Sequence, residues 1–220
     1  MEVFIIFLFM LLFVIGLGVW AWRYEKKRTE ALAPVAAELG LQFHTGDNPP
    51  FVAPWASYYL FEYGHNKLFA NVMHGQVEGV EAAVFDYRFT TGSGKSKSTH
   101  HQTVVCLRAD DLRLPFFALR PEGIFHKIGQ LLGYQDIDFD THPSFSAKYL
   151  LRGQDEAAIR ATFDEQLLNF LDNTKGLSLD GGNDRFLYYR HGKRCEPGEV
   201  RQMVFDALQV LEHLRAARQA

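Results

Sequence analysis

The string Thr91-Gly92-Ser93-Gly94-Lys95-Ser96 ends in the GKS of a phosphate-binding loop. That chemistry needs GxxxxGK[ST] after a strand, with a helix opening behind it so that its free N–H groups face the phosphates. Here Phe89 stands at the first glycine position, and the residues from Lys97 to Val105 read as a strand. A flexible connection between strands at Phe85 to Thr90 and Gln102 to Leu107 explains the same residues. A nucleotide-binding or hydrolytic enzyme using residues 91–99 is the alternative. Lys95 and Lys97 on such a tip suit acidic headgroups or a partner.

Asp136-Ile137-Asp138-Phe139-Asp140 begins like a calcium loop, but Thr141 and Ala147 occupy the positions that require Gly and a bidentate Glu. An extended edge with Ile137 and Phe139 on one apolar face is the better reading. Nine histidines invite a metal hypothesis. His100 and His101 are adjacent, so on a strand they point to opposite faces and cannot share one ion. His74, His126 and His142 stand apart, and His191 with Cys195 falls short of a tetrahedral set. There is no HExxH, CxxC or GxSxG. Glu62, Asp86 and the Asp136 to Asp140 group are carboxylates without a partnered catalytic geometry. No catalytic residue, metal ligand or cofactor is therefore assigned.

Positive charge gathers in two places. Arg185, Arg190, His191, Lys193 and Arg194 crowd one hairpin strand and the turn after it, and Arg23, Lys26, Lys27 and Arg28 follow an apolar segment. Against an anionic leaflet each cation contributes on the order of 1 kcal/mol. Arg23, Lys26, Lys27, Arg28, Arg190, Lys193 and Arg194 form the candidate lipid-surface contact, and an anionic lipid-surface sensor is one functional reading. A solvated basic turn is the competing one.

The apolar segment, Val3 to Trp22, reads VFIIFLFMLLFVIGLGVWAW and carries no charge. About 20 helical residues cross a hydrocarbon core of roughly 30 Å. Trp20 and Trp22 suit an interfacial belt, and the charges from Arg23 to Arg28 place the following chain on the cytoplasmic side. An acidic start and bulky residues at the cleavage zone argue against a secretory signal. The expectation is a single-pass inner (plasma) membrane protein, held in the bilayer by residues 3–22 with its C-terminal domain in the cytoplasm. Gly16 and Gly18 do not make a GxxxG dimer motif.

The elements that must position these residues are legible in the rest of the chain. Thr29 to Leu41 places Leu32, Val35, Ala36 and Leu39 at helical spacing before Gly40, and Thr45 to Pro54 reads as a linker. Strand-like runs fall at Tyr58 to Tyr63, Leu68 to His74, Val80 to Thr90, Gln102 to Leu107 and Leu114 to Leu119. Short turns between the first three imply an antiparallel meander. Pro121 opens a helical run through Phe125, Ile128, Leu131 and Leu132. A short strand at Tyr149 to Leu151 and one amphipathic helix at Asp155 to Leu171 come next. A hairpin then turns at Gly181-Gly182-Asn183-Asp184, and a helix after Pro197 closes the chain. The fold class is α+β: an N-terminal transmembrane helix, then a mainly antiparallel sheet packed by helices. The divisions are 1–22 anchor, 23–50 juxtamembrane helix and linker, and 51–220 cytoplasmic domain.

A chain of 220 residues suits one anchor and one domain, and net charge −3 gives no basic field for nucleic acid. Two cysteines, Cys106 and Cys195, are expected as reduced thiols. The string FDTHPSFSAKYLLRGQDEAAIRA at Phe139 to Ala161, with TTGSGKSKSTH at Thr90 to His100, resembles a bacterial family of single-span membrane proteins of unknown function. The resemblance implies a membrane-tethered bacterial protein and carries no catalytic residues. A membrane-tethered cytoplasmic interaction or scaffold domain, its protein partner unspecified, is the leading expectation.

Overall fold

A computed structural model describes residues 2–49, 58–123 and 136–216. The chain opens with α1 (Glu2–Glu38), a single helix of 37 residues. At 1.5 Å per residue it is about 55 Å long, nearly twice what a bilayer core requires. The sequence divides this stretch at residue 22, yet no break occurs there. Pro34 lies on the exposed side and interrupts the hydrogen-bond ladder without ending the helix. From Phe4 to Trp22 the large apolar side chains are exposed, whereas Leu32, Ala36 and Leu39 are buried on one stripe. Among the described residues α1 is the one helix long and apolar enough to cross a membrane, with mean hydropathy 2.8 in a window that the domain does not bury.

The domain is α+β. Eight strands form one sheet, β1 (Gln42–His44), β2 (His65–Val77), β3 (Val80–Thr91), β4 (Ser98–Arg108), β5 (Leu114–Pro121), β6 (Tyr149–Gly153), β7 (Ser178–Asn183) and β8 (Arg185–Tyr189). Their order is β1-β2-β3-β4-β8-β7-β5-β6, with antiparallel pairing throughout. The hairpins β2–β3, β3–β4 and β7–β8 arise directly from short turns. The sheet begins at Gln42, ahead of the boundary read near Phe51. That residue and the Phe125 to Leu132 helix lie outside the described residues.

Three elements depart from the sequence pattern. Tyr59–Glu62 is a short helix, α2, because the run is held from across the sheet: Leu60 N–H donates to Asp180 Oδ2 at 2.7 Å and Tyr58 Oη to the Gly182 carbonyl at 2.7 Å. After α3 (Pro143–Lys148), the run from Asp155 to Leu171 is two helices, α4 (Glu156–Thr162) and α5 (Glu165–Asp172). Asp164 starts the second by accepting from Leu167 N–H at 2.8 Å, so an N-cap interrupts the apolar periodicity. Gly181 and Gly182 lie inside β7 rather than at the turn, and Asn183 takes the positive φ there. The rings of Phe117 and Phe116 occupy the space where Cβ atoms at 181 and 182 would stand.

Phe61, Phe69, Phe85, Tyr87 and Phe89 form an aromatic cluster with ring centroids 5.0 to 6.1 Å apart. The last helix, α6 (Val200–Ala216), packs on β4 through a stripe including Val204, Leu208 and Leu211, and meets α5. Ile137 and Phe139 are buried while Asp138 and Asp140 are exposed, the alternation read from the sequence, although the segment is not a ladder strand.

Candidate functional site

Arg28 lies one turn before Leu32 on the buried stripe of α1, so docking that stripe carries a guanidinium into the interface. A buried charge costs several kcal/mol unless a partner compensates it. The partner comes from β3. Asp86, 7% exposed, takes a bidentate contact from Arg28, 8% exposed, with Nε to Oδ2 and Nη2 to Oδ1 both 2.7 Å.

The remaining lone pairs are filled from three further elements. Asn71 Nδ2 donates to Asp86 Oδ2 at 2.9 Å, Thr103 Oγ1 to Oδ1 at 3.1 Å, and Arg194 Nη2 to Oδ2 at 3.1 Å. Thr103 itself accepts from Arg28 Nη2 at 3.2 Å and from Cys195 N–H at 3.0 Å. Asn71 occupies this point because β2 is irregular between Ala70 and Met73, where its φ of 52° suits Asn better than a branched residue. The Asn71 Oδ1 accepts from Thr29 on α1 at 2.7 Å. Arg194 also grips Glu25 of α1 with two contacts of 2.7 Å. Glu25, Arg28 and Thr29 thus tie one turn of α1 to β2, β3, β4 and the segment after β8.

The charges settle accordingly. Burial pushes the Asp86 carboxyl up, but Arg28, Arg194 and Asn71 together outweigh it and hold it below the usual aspartate range. Arg194 holds Glu25 below the ordinary glutamate value against a smaller effect of burial. Burial, reinforced by Arg194 and Arg88, lowers His101. Beside the network lies a cavity of about 220 Å³, whose lining includes Thr45, Asp47, Arg88 and His101.

The seven cations expected at the lipid surface divide here. Arg23, Lys26 and Lys27 are exposed on α1 just beyond Trp22, with Lys26 over the Trp22 ring at 5.3 Å. Lys193 is exposed and Arg190 half-buried. Arg28 and Arg194 are instead committed to carboxylates inside the domain, because the stripe that docks α1 passes through residue 28. The sequence pattern marks Asp86 only as a carboxylate without a partner and gives no sign of Asn71 or Thr103. One signal does point to the pair: a lone carboxylate between Phe85 and Tyr87 in an apolar strand requires a cation, and Arg28 falls four residues before Leu32.

The other candidates take structural roles. Gly94–Ser96 is a single 3₁₀ turn between β3 and β4, with Ser96 Oγ bonded to the Ser93 carbonyl at 2.8 Å. No helix opens there, so the helix N-terminus that cradles phosphate in a P-loop is missing from this segment. His100 stacks on Phe89 and bonds Thr91 at 3.0 Å, while His101 lines the cavity on the opposite face. Burial pushes the Cys195 thiol up to about 11 and Cys106 well above its ordinary value, so both stay protonated at neutral pH. A second buried ion pair, Arg120 with Asp180, lies under the Tyr189 ring and fixes α2 through Leu60.

No protein-family model and no curated protein matches the chain. Among solved structures it is similar to the crystal structure of the mycobacterial trehalose monomycolate transport factor A, TtfA, at 12% identity and a TM-score of 0.60. The match covers 87% of this chain and 92% of that one. At that identity the likeness establishes a shared fold.

Proposed function

We infer that this chain is a membrane-tethered, single-span accessory protein whose domain presents an interaction surface at a fixed position relative to the bilayer. The supporting observation is the network at Asp86: α1 runs unbroken from its apolar half into the domain and is tied there by Glu25, Arg28 and Thr29. A flexible tether would need no such network. A protein that must hold a partner at a set height and angle does.

The fold neighbour is a transport factor, and an accessory role beside a membrane process agrees with that. By the positive-inside bias, Arg23, Lys26 and Lys27 put the domain in the cytoplasm, with those side chains at the anionic leaflet. A reporter fused after Ala220 should be active only when it is a cytoplasmic reporter. Affinity purification of the full chain from its own membranes tests the scaffold role. A reproducible, stoichiometric membrane partner is expected, and repeated recovery of the chain alone would contradict the reading.

A further inference from the structure

Beyond Asp86 the same face of the sheet holds a second recess of different charge. Period-2 alternation puts Arg88 and Thr90 on the Asp86 face, and the register pairs Arg88 with His101 and Thr90 with Thr99. With Lys67 and Lys97 these residues line an open cavity of about 500 Å³ that no carboxylate lines. Arg88 and Lys97 are exposed and in no ion pair among the described residues. Lys67 spends one N–H on the Phe61 carbonyl and keeps two. The other cavity of about 500 Å³, where Arg113 lies with Thr162, is lined by Asp155 as well.

The contacts of α1 say where this recess points. Leu41 lies against Gly75, Thr29 bonds Asn71, and Glu25 reaches Arg194. Travelling up α1 toward Trp22 therefore runs along β2 from residue 75 toward residue 65, and so along β3 toward Thr91. From Asp86 to Thr91 is about 16 Å of strand, against about 9 Å of helix from Arg28 to Trp22. The recess and the β3–β4 turn thus lie on the side from which the apolar half of α1 leaves the domain.

We propose that this recess binds a phosphate-bearing anion. Arg88 offers the planar fork that matches two phosphate oxygens, Lys67 and Lys97 add compact charge, and the Thr99 hydroxyl adds a donor. Its position makes an anionic lipid headgroup the first source and a soluble phosphate the second. The proposal rests on the membrane placement of α1 only for that choice of source.

The test uses the full chain in neutral detergent, titrated by calorimetry with dihexanoyl phosphatidic acid, with dihexanoyl phosphatidylcholine and with inorganic phosphate. The wild-type chain should bind phosphatidic acid and not phosphatidylcholine. In the double variant R88Q/K97Q the dissociation constant should rise about tenfold or more, consistent with loss of charge-assisted contacts. Lys175→Gln, an exposed cation outside the recess, should leave it unchanged. Near-ultraviolet circular dichroism of each variant checks that the fold is kept. Binding of phosphatidic acid without inorganic phosphate assigns a headgroup, and binding of inorganic phosphate assigns a soluble anion; both support the site. No binding of either anion, equal binding of phosphatidylcholine, or unchanged affinity in the double variant overturns it. Partner recovery plays no part in these readouts, so a negative result here is separable from failure of the scaffold reading.

Discussion

At the scale of single residues, the behaviour of this protein turns on Asp86. Its two oxygens accept from Arg28, Asn71, Thr103 and Arg194, and removing Arg28 or Asp86 breaks the buried bidentate pair and leaves the other charge poorly compensated. Arg28→Ala or Asp86→Ala should each destabilise the full chain by about 3–5 kcal/mol, read by denaturant unfolding in detergent. Lys26→Ala, an exposed i,i+4 partner of Glu30, should change it by less than about 1 kcal/mol. A carboxyl held below its ordinary value contributes stability that is present above its unfolded pKa and lost as pH falls through the folded one. Unfolding scans should therefore show stability falling below about pH 4, and Asp86→Asn should flatten that fall. The sequence contained both halves of the pair, Arg28 on an apolar stripe and Asp86 in an apolar strand. It could not show that they meet, because 58 residues separate them and only the docking of α1 on β3 joins them.

Elements were legible where local pattern and tertiary contact agree. The strands β3, β4 and β5 and the last helix carry strong periodicity and occur close to where the pattern puts them. Where long-range contact overrides pattern, reading from sequence fails: α2 is pulled from extended chain by Asp180, and Gly181-Gly182 marks space for Phe117 and Phe116 instead of a turn. The two glycines differ in how far their neighbours can give. Phe117 is fully buried and packs edge-on to Phe163 at 5.0 Å, so it cannot yield to a methyl group at residue 181. Phe116 is 40% exposed and can swing outward. Gly181→Ala should cost about 1–3 kcal/mol and Gly182→Ala clearly less, as thermal unfolding of the two variants would register. Equal costs would mean that ring burial does not decide the difference.

For the whole molecule, the apolar segment and the α+β class could be read directly, because hydropathy and turn spacing are local properties. The relation between the two could not. The sequence suggests an anchor, a separate juxtamembrane helix and a linker, whereas α1 is one helix whose lower half belongs to the core and whose neighbour Gln42–His44 is already in the sheet. Glu25, Arg28 and Thr29 make the apolar half of α1 and the domain one body, and under the proposed function that coupling gives the exposed surface of the domain a defined place beside the membrane. Hydrogen–deuterium exchange of the full chain in nanodiscs, followed at the amides of residues 24–38, tests this most directly. Strong protection in the wild-type chain, falling by about a hundredfold or more in Asp86→Ala, is the expected result, since about 3 kcal/mol of docking free energy is lost. Rapid exchange of that segment in the wild-type chain, or protection unchanged by Asp86→Ala, would contradict the coupling of helix to domain.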